Sequence, residues 1–377
     1  MAQAVAKNIL LPLLQGNVAN LTTFDIENAL TGPVERNDVV TIKKHLTAFT
    51  SENLNQEKVV IGLYEKTSYA ERFAEYFCHN KNNCVDFRIF TMCDKISEFV
   101  KKTKIDVLLT DRKSVNDVEN EKNVGKIIVL SEGNYVMENE KYSVIFKYQS
   151  VEEIIKEVLS DIADDDKVNI NNTFVIKNNT ELIGVYSASG GNIVLDYGVE
   201  LALQMGKMRK TLLVCLEQLN GLDGASWPEN ENKKKSGVSN DEMPYVRGMS
   251  EVIYYLKKSG NKLALKLQSI ICRKGEVDCI YPVEDYRDLQ FLDKEGIGEF
   301  IKVVSEQMEY EAVIFIIGYL SEAFMELMQR CDKLYFKAAQ NRMEFEKQNA
   351  FEKMLKRDGL SGSFDNVVFF GEDRNAC

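Results

Sequence analysis

The sequence predicts an α/β protein: two three-layer α/β domains with mainly parallel sheets, preceded by a short helical segment. Three observations carry this. Residues 58–160 alternate short apolar runs of β type with stretches of helical period, and the same alternation resumes at residue 182. Between them, from 163 to 181, the chain turns acidic and then asparagine-rich, which reads as a linker. Strands and helices that alternate in this way build parallel sheets covered by helices. A length of 377 residues suits two or three domains.

The elements follow in order. Residues 1–57 differ in kind: VAKNILLPLLQGNVANL has helical spacing, Gly32-Pro33 marks a turn, and Asp38 is placed to cap a helix over VVTIKKHL. The domain at 58–162 has strand-like runs VVIGL, DFRIF, IDVLLT, KIIVL and YSVIF. Helical patterns lie at Tyr69–Phe77, at Ile96–Val100 and over SVEEIIKEVLSDI. From 182 to 377 the strand-like runs are LIGVY, TLLVCL, VDCIYPV, EAVIFIIGYL, DKLYF and VVFF. Residues 222–246 read as a loop, with Trp227, Pro228, Pro244 and the lysines 233–235; the NKKKSG stretch at 232–237 is expected to be mobile.

Composition excludes several function classes. The chain is 45% hydrophobic and 28% charged, the balance of an ordinary soluble domain protein. A net charge of −11 argues against a polyanion-binding surface, so no nucleic-acid partner is expected. The apolar run Ile9–Leu14 is far too short for a membrane span, and a cytoplasmic protein is expected. Eight cysteines and two histidines include no C-x-x-C; Cys78, His79 and Cys84 form the one cluster, read as reduced thiols, and no metal is expected.

One stretch carries chemistry. IGVYSASGGNIVLDYGVELA, residues 183–202, is a buried strand running into a glycine turn and then a helix, the build of a phosphate-binding loop. Yet no G-K-[ST] occurs anywhere in the sequence. Lys207, Arg209 and Lys210 follow the helix and approach the next strand's amino end, the wrong end of a parallel sheet for a ligand.

From Leu182 onward the chain resembles the MinD/ParA-type P-loop ATPases, and most closely the CpaE-like proteins of Tad/Flp pilus and secretion systems. IGVYSASGG, LLVCLEQLNG, YEAVIFIIGYL and MQRCDKLYFKAAQNRMEFEKQNAFEKML carry the likeness. The resemblance lays Gly190 and Gly191 on the loop's first two glycines, with Asn192 as the variable residue. Ile193 then falls on the third glycine, Val194 on the lysine, Leu195 on the hydroxyl, and Ser189 on the family's additional early lysine. Ile316 occupies the place of the Walker B carboxylate, and Cys215 and Glu217 those of two switch-associated aspartates. A valine neutralises no phosphate and a leucine ligates no magnesium. Losing one preorganised charge-stabilising group commonly costs ~10²–10³ in rate, and several are missing. The resemblance therefore implies a pseudo-ATPase: a scaffold or regulator without a cofactor. Its implied contacts are a partner ATPase of a pilus or secretion system, another copy of itself, or the inner face of a membrane assembly. The alternative is a noncanonical ATPase that binds ATP and magnesium.

Residues 58–160 resemble a response-regulator receiver domain. The matching positions are Glu65 after the first strand, Asp111 ending the third, Ser131 after KIIVL and Lys147 after YSVIF. In a receiver these hold magnesium, accept phosphate, switch, and neutralise charge. A receiver has two adjacent acids after its first strand, whereas here Tyr64 and Glu65 stand there. A pseudo-receiver used for contacts is expected, with Lys147 and Asp111 as a structural ion pair; the alternative is a phospho-switch through Asp111. In residues 1–57, LLPLLQGNVANL and ALTGPVERNDVVTIKKHL resemble the helical C-terminal domain of a Rossmann-type reductase-like family. No G-x-G-x-x-G turn accompanies it, so a fused remnant is expected rather than a reductase. The end, LSGSFDNVVFFGEDRNAC, is strand-like and acidic, unlike the basic amphipathic helix that docks MinD on membranes.

Overall fold

In the computed structural model the described residues are 58–66, 69–79, 85–133, 141–165, 179–227, 247–258, 262–360, 362, 364 and 366–371. The helical expectation for 1–57, Cys84, most of the linker and the NKKKSG loop lie outside them, as do the side chains of Cys78 and His79.

The first sheet unit runs β1 (Val59–Tyr64), α1 (Tyr69–His79), β2 (Val85–Phe90), α2 (Cys93–Val100), β3 (Ile105–Asp111), α3 (Val115–Val118), β4 (Val124–Ser131), β5 (Ser143–Phe146) and α4 (Val151–Asp164). Its five strands are all parallel, in the order β2-β1-β3-β4-β5. That is a doubly wound order with its switch point between β1 and β3, where an open crevice forms at the carboxyl ends. The VVIGLY run reads as a continuous apolar strand because it is central and covered on both faces. Helix α4 starts where Ser150 accepts the Glu153 N–H at 3.1 Å.

The second sheet unit runs β6 (Glu181–Tyr186), α5 (Ile193–Gly206), β7 (Thr211–Leu216), α6 (Met249–Lys258), α7 (Leu263–Ile270), β8 (Cys272–Lys274) and β9 (Val277–Ile280). It continues with α8 (Lys294–Glu306), β10 (Ala312–Ile317), α9 (Glu322–Arg330), β11 (Lys333–Lys337), α10 (Arg342–Arg357) and β12 (Val367–Phe370). The strand order is β12-β11-β6-β10-β7-β9-β8, parallel except for β8. The sequence reading missed β8: three residues, CRK, give no periodicity, and the strand exists because Gly275, at φ 63°, turns it back onto β9. The strands expected from LIGVY, TLLVCL, EAVIFIIGYL, DKLYF and VVFF all form.

Chain order places β6 between β10 and β11, so the loop leaving its carboxyl end opens at a switch point of this sheet. One buried apolar cluster packs under α5 and joins Ile183, Val185, Cys215, Ile314 and Ile316. A second lies under α2 in the first unit. The largest takes in the opposite faces of both sheets, from Val59 and Ile61 through Ile154 and Leu159 to Leu267 and Phe315. Among the described residues, no helix is long and apolar enough to cross a membrane.

Candidate functional site

Strand β6 delivers the chain into the turn Ser187–Asn192. Ser187 is buried, its Oγ 2.8 Å from Ser189 Oγ, and it accepts the Ser189 N–H at 3.2 Å. Gly190 and Gly191 have φ of 70° and 95°, and a Cβ on either would meet nothing within 4 Å. The glycines are thus required by backbone conformation and not by space. Helix α5 follows at Ile193; Asn192 occupies its N-cap position without a side-chain bond to the helix.

The residues that the sequence resemblance lays on the charged positions of a P-loop lie inside the fold. Val194 and Leu195 are buried in the cluster with Cys215, Leu222 and Ile316. Register puts Ile316 beside Val185 on one side and Cys215 on the other, so three central strands present a continuous apolar row beneath α5. The helix sits directly on that row: a Cβ at Gly198 would fall 2.8 Å from Ile316 Cγ1. Asp196 faces solvent.

Glu217 follows β7 at the row's carboxyl end. It is half-buried, and among the described residues its hydrogen-bond partner is the Cys215 thiol, at 3.7 Å from Oε2. Burial pushes its carboxyl above the usual range, with the thiol hydrogen bond opposing. Burial also pushes the Cys215 thiol far up, and the Glu217 charge adds to it.

Sequence reasoning missed the lysine that does reach the turn. Lys347 of α10 donates to the Ser189 carbonyl at 3.3 Å. Its helix is capped by Asn341, which accepts the Glu344 N–H at 3.0 Å. The helix is seated by Phe351, whose ring lies 5.5 Å from those of both Tyr186 and Phe336. Phe351 is four residues beyond Lys347, hence on the same helix face. The same end of the sheet carries exposed apolar side chains: Ile193 at the turn, Leu219 after β7, Leu320 after β10, and Met343 and Phe345 at the start of α10. The buried residues of α10 are Phe351 and Leu355, whereas Met343 and Phe345 in its first turn are exposed.

By contrast Arg209 pairs with Glu181 at the start of β6, and Lys210 lies 3.6 Å from Glu309 ahead of β10. Both belong to the amino ends of the strands, as expected.

In the first unit Glu65, Asp111, Ser131 and Lys147 stand at the carboxyl ends of β1, β3, β4 and β5. They do not act on one another as a receiver's would. Lys147 Nζ lies 2.9 Å from Glu65 Oε2, and the two residues are only 7% and 2% exposed. Lys147 therefore pairs with Glu65, where the sequence reading set it against Asp111. The ammonium also lies 4.5 Å from the centre of the Tyr69 ring, and the Tyr69 hydroxyl donates to the Lys147 carbonyl at 2.6 Å. Burial pushes that phenol up to about 12. Asp111 accepts the Ser114 N–H at 2.7 Å, and the Ser131 hydroxyl donates to the Gly133 carbonyl at 3.0 Å. Among the described residues no group of three or more His, Cys, Asp or Glu is arranged to hold a metal ion. Cys93, Cys215, Cys272, Cys279 and Cys331 are free thiols.

A family model described as a domain of unknown function, DUF2520, matches residues 1–69. No curated protein matches the chain. Solved structures similar to it include a ParA family ATPase from Chlorobium tepidum TLS, 11% identical, TM-score 0.38, covering 51% of this chain and 73% of that one. Another is the cell division ATPase MinD of Pyrococcus furiosus, 16% identical, TM-score 0.34, covering 50% and 70%. A third is cobyrinic acid a,c-diamide synthase from Mycobacterium smegmatis, 12% identical, TM-score 0.34, covering 52% and 76%. Likeness at this level carries no inference about activity.

Proposed function

We propose that the chain is a non-catalytic pseudo-ATPase that works through protein contacts as a scaffold or regulator, without ATP, magnesium or another cofactor. One observation supports this reading: Val194 and Leu195, in the first turn of α5, are buried together with Cys215 and Ile316 of the strands beneath it, at the positions where the resemblance would look for charge. An apolar row gains burial and holds no ion out of water. The exposed Ile193, Leu219, Leu320, Met343 and Phe345 at the same end of the sheet support contact with another protein. In finer terms we read the chain as a CpaE-like pilus or secretion-assembly component, cytoplasmic, with a partner ATPase or a second copy as its contact. Calorimetric titration of the full chain with ATP and with ADP, each with magnesium, tests this. No heat and no nucleotide-dependent shift in melting temperature are expected, and micromolar binding overturns the reading.

A second reading, noncanonical ATP binding, is favoured by Lys347 reaching Ser189 over a turn whose two glycines leave open space. In that case nucleotide binds and Lys347→Ala abolishes it. The phospho-switch alternative is weakened by the engagement of Lys147 with Glu65. It predicts that a small phosphodonor changes the protein and leaves Asp111→Asn unchanged.

A further inference from the structure

We propose that α4 is a strut clasped by Lys262 and Lys266, through which the two sheet units fold and respond as one cooperative body and not as two modules on a linker. Helix α4 closes the first unit, yet its partners are divided between both. On its own side Lys126 of β4 reaches Asp161 at 2.7 Å and Asp165 at 3.1 Å. On the other side stands Lys266 of α7, whose side chain is 6% exposed. Its ammonium lies 2.9 Å from Ser160 Oγ and 3.5 Å from Asp164 Oδ2, both on α4. It also lies 3.0 Å from Glu251 Oε2 on α6 and 4.7 Å from the centre of the Tyr255 ring.

A buried ammonium is tolerated only where its donors are satisfied and an opposite charge is close. Two of the four groups around Lys266 come from the first unit, so its burial is satisfied in full only while α4 is docked. Lys262 adds an end cap across the same seam. Its ammonium donates to the carbonyls of Ile162, at 3.1 Å, in the last turn of α4, and of Asp165, the residue that caps it. Between these polar ends, Val158, Leu159 and Ile162 of α4 belong to the same buried cluster as Leu263, Ala264 and Leu267 of α7.

The strut also begins at the first unit's pocket. Lys147 lies three residues before Ser150, the cap of α4. A change at the Glu65–Lys147 pair thus acts on α4 and, through the clasp, on α6 and α7 of the second unit. This inference does not depend on the pseudo-ATPase reading.

Trp227 is the only tryptophan in the sequence and belongs to the second unit, its indole N–H bonded to the Leu222 carbonyl at 2.7 Å. Its fluorescence reports on that unit alone, while far-ultraviolet circular dichroism reports on both. In the full chain the expected result is that Lys147→Met, made in the first unit, lowers both melting midpoints together by roughly 5–10 °C. With Lys266→Met added, the circular dichroism splits into two steps and the fluorescence midpoint stops responding to Lys147→Met. Lys262→Gln, which loses the bonds to the Ile162 and Asp165 carbonyls, provides the same reading with a smaller split if Lys266→Met does not fold. A fluorescence midpoint indifferent to Lys147→Met in the otherwise unaltered chain overturns the proposal. So does a clasp variant in which the two probes still move together.

Discussion

The carboxyl ends of the two sheets are built from different chemistry. At the end of the first sheet the ions remain, but Glu65 and Lys147 neutralise each other at 2.9 Å and Asp111 is spent on the Ser114 N–H. In the second sheet Val194, Leu195, Cys215 and Ile316 are uncharged and form part of the core. The difference is one of reversibility. An internal ion pair can exchange partners when one charge is altered, whereas a hydrocarbon-filled site excludes an ion until the packing itself is undone. The two sites are therefore expected to respond in opposite ways to mutation.

The sharpest way to break this comparison is to reintroduce the missing charge. Ile316→Asp is expected to cost about 4–5 kcal/mol at pH 7, because the carboxylate would lie under α5 in an apolar cluster, against Val185 and Cys215. Burial raises the pKa of such a group, so the loss is greatest at high pH and shrinks as pH falls and the new carboxyl protonates. Urea unfolding at two pH values measures it. A variant as stable as the parent would mean that water or an ion reaches position 316 and that the site is open after all.

Next in size is the ion pair of the first unit. Lys147→Met leaves Glu65 buried without its cation and is expected to cost about 3–4 kcal/mol. Adding Glu65→Gln removes the orphaned charge and should recover most of that loss, since a buried pair replaced on both sides is often close to neutral. If the double variant were no better than the single one, the pair would not be the unit that matters.

Both contrasts were half legible in the sequence. The runs VVIGL, IDVLLT and EAVIFIIGYL announced buried parallel strands because they are continuous and rich in branched residues. SASGG announced a tight turn because Gly190 and Gly191 have conformations few other residues adopt. That the turn lacks its lysine was also plain. The partner of Lys147 was not, because Glu65 lies 82 residues away and only the strand order brings β1 and β5 to the same crevice. Lys347 was hidden for the same reason, at a separation of 158 residues from Ser189. The docking of α4 on α7 was invisible because both helices display ordinary apolar stripes, and a stripe does not say which unit covers it.

The turn itself predicts a smaller effect. Gly191→Ala forces a side chain into φ 95° and is expected to cost about 1–2 kcal/mol, although there is room for the methyl group. Gly224→Ala, also with open space but without positive φ, is the control and should stay within about 0.5 kcal/mol. Equal effects would mean that the backbone of the turn relaxes freely and is not a fixed shape.

The smallest effect isolates the one acid left in the apolar site. Burial raises the Glu217 carboxyl above its usual 4.5, the Cys215 thiol bond opposing only in part. The sign follows from proton uptake: between the unfolded and the folded pKa the folded chain binds more protons than the unfolded one. Stability contributed by Glu217 is therefore fully present below pH 4.5 and is lost as pH rises through the folded value. Glu217→Gln removes this loss, so the variant should gain on the parent as pH rises above 4.5 through the folded value and keep that gain at higher pH. Urea midpoints across that range make the comparison. The opposite slope, with the parent gaining on the variant as pH rises, would mean that a cation or a bound metal meets Glu217 in solution. The apolar site would then keep a working charge, and its contrast with the ion pair of the first sheet would narrow to a difference of degree.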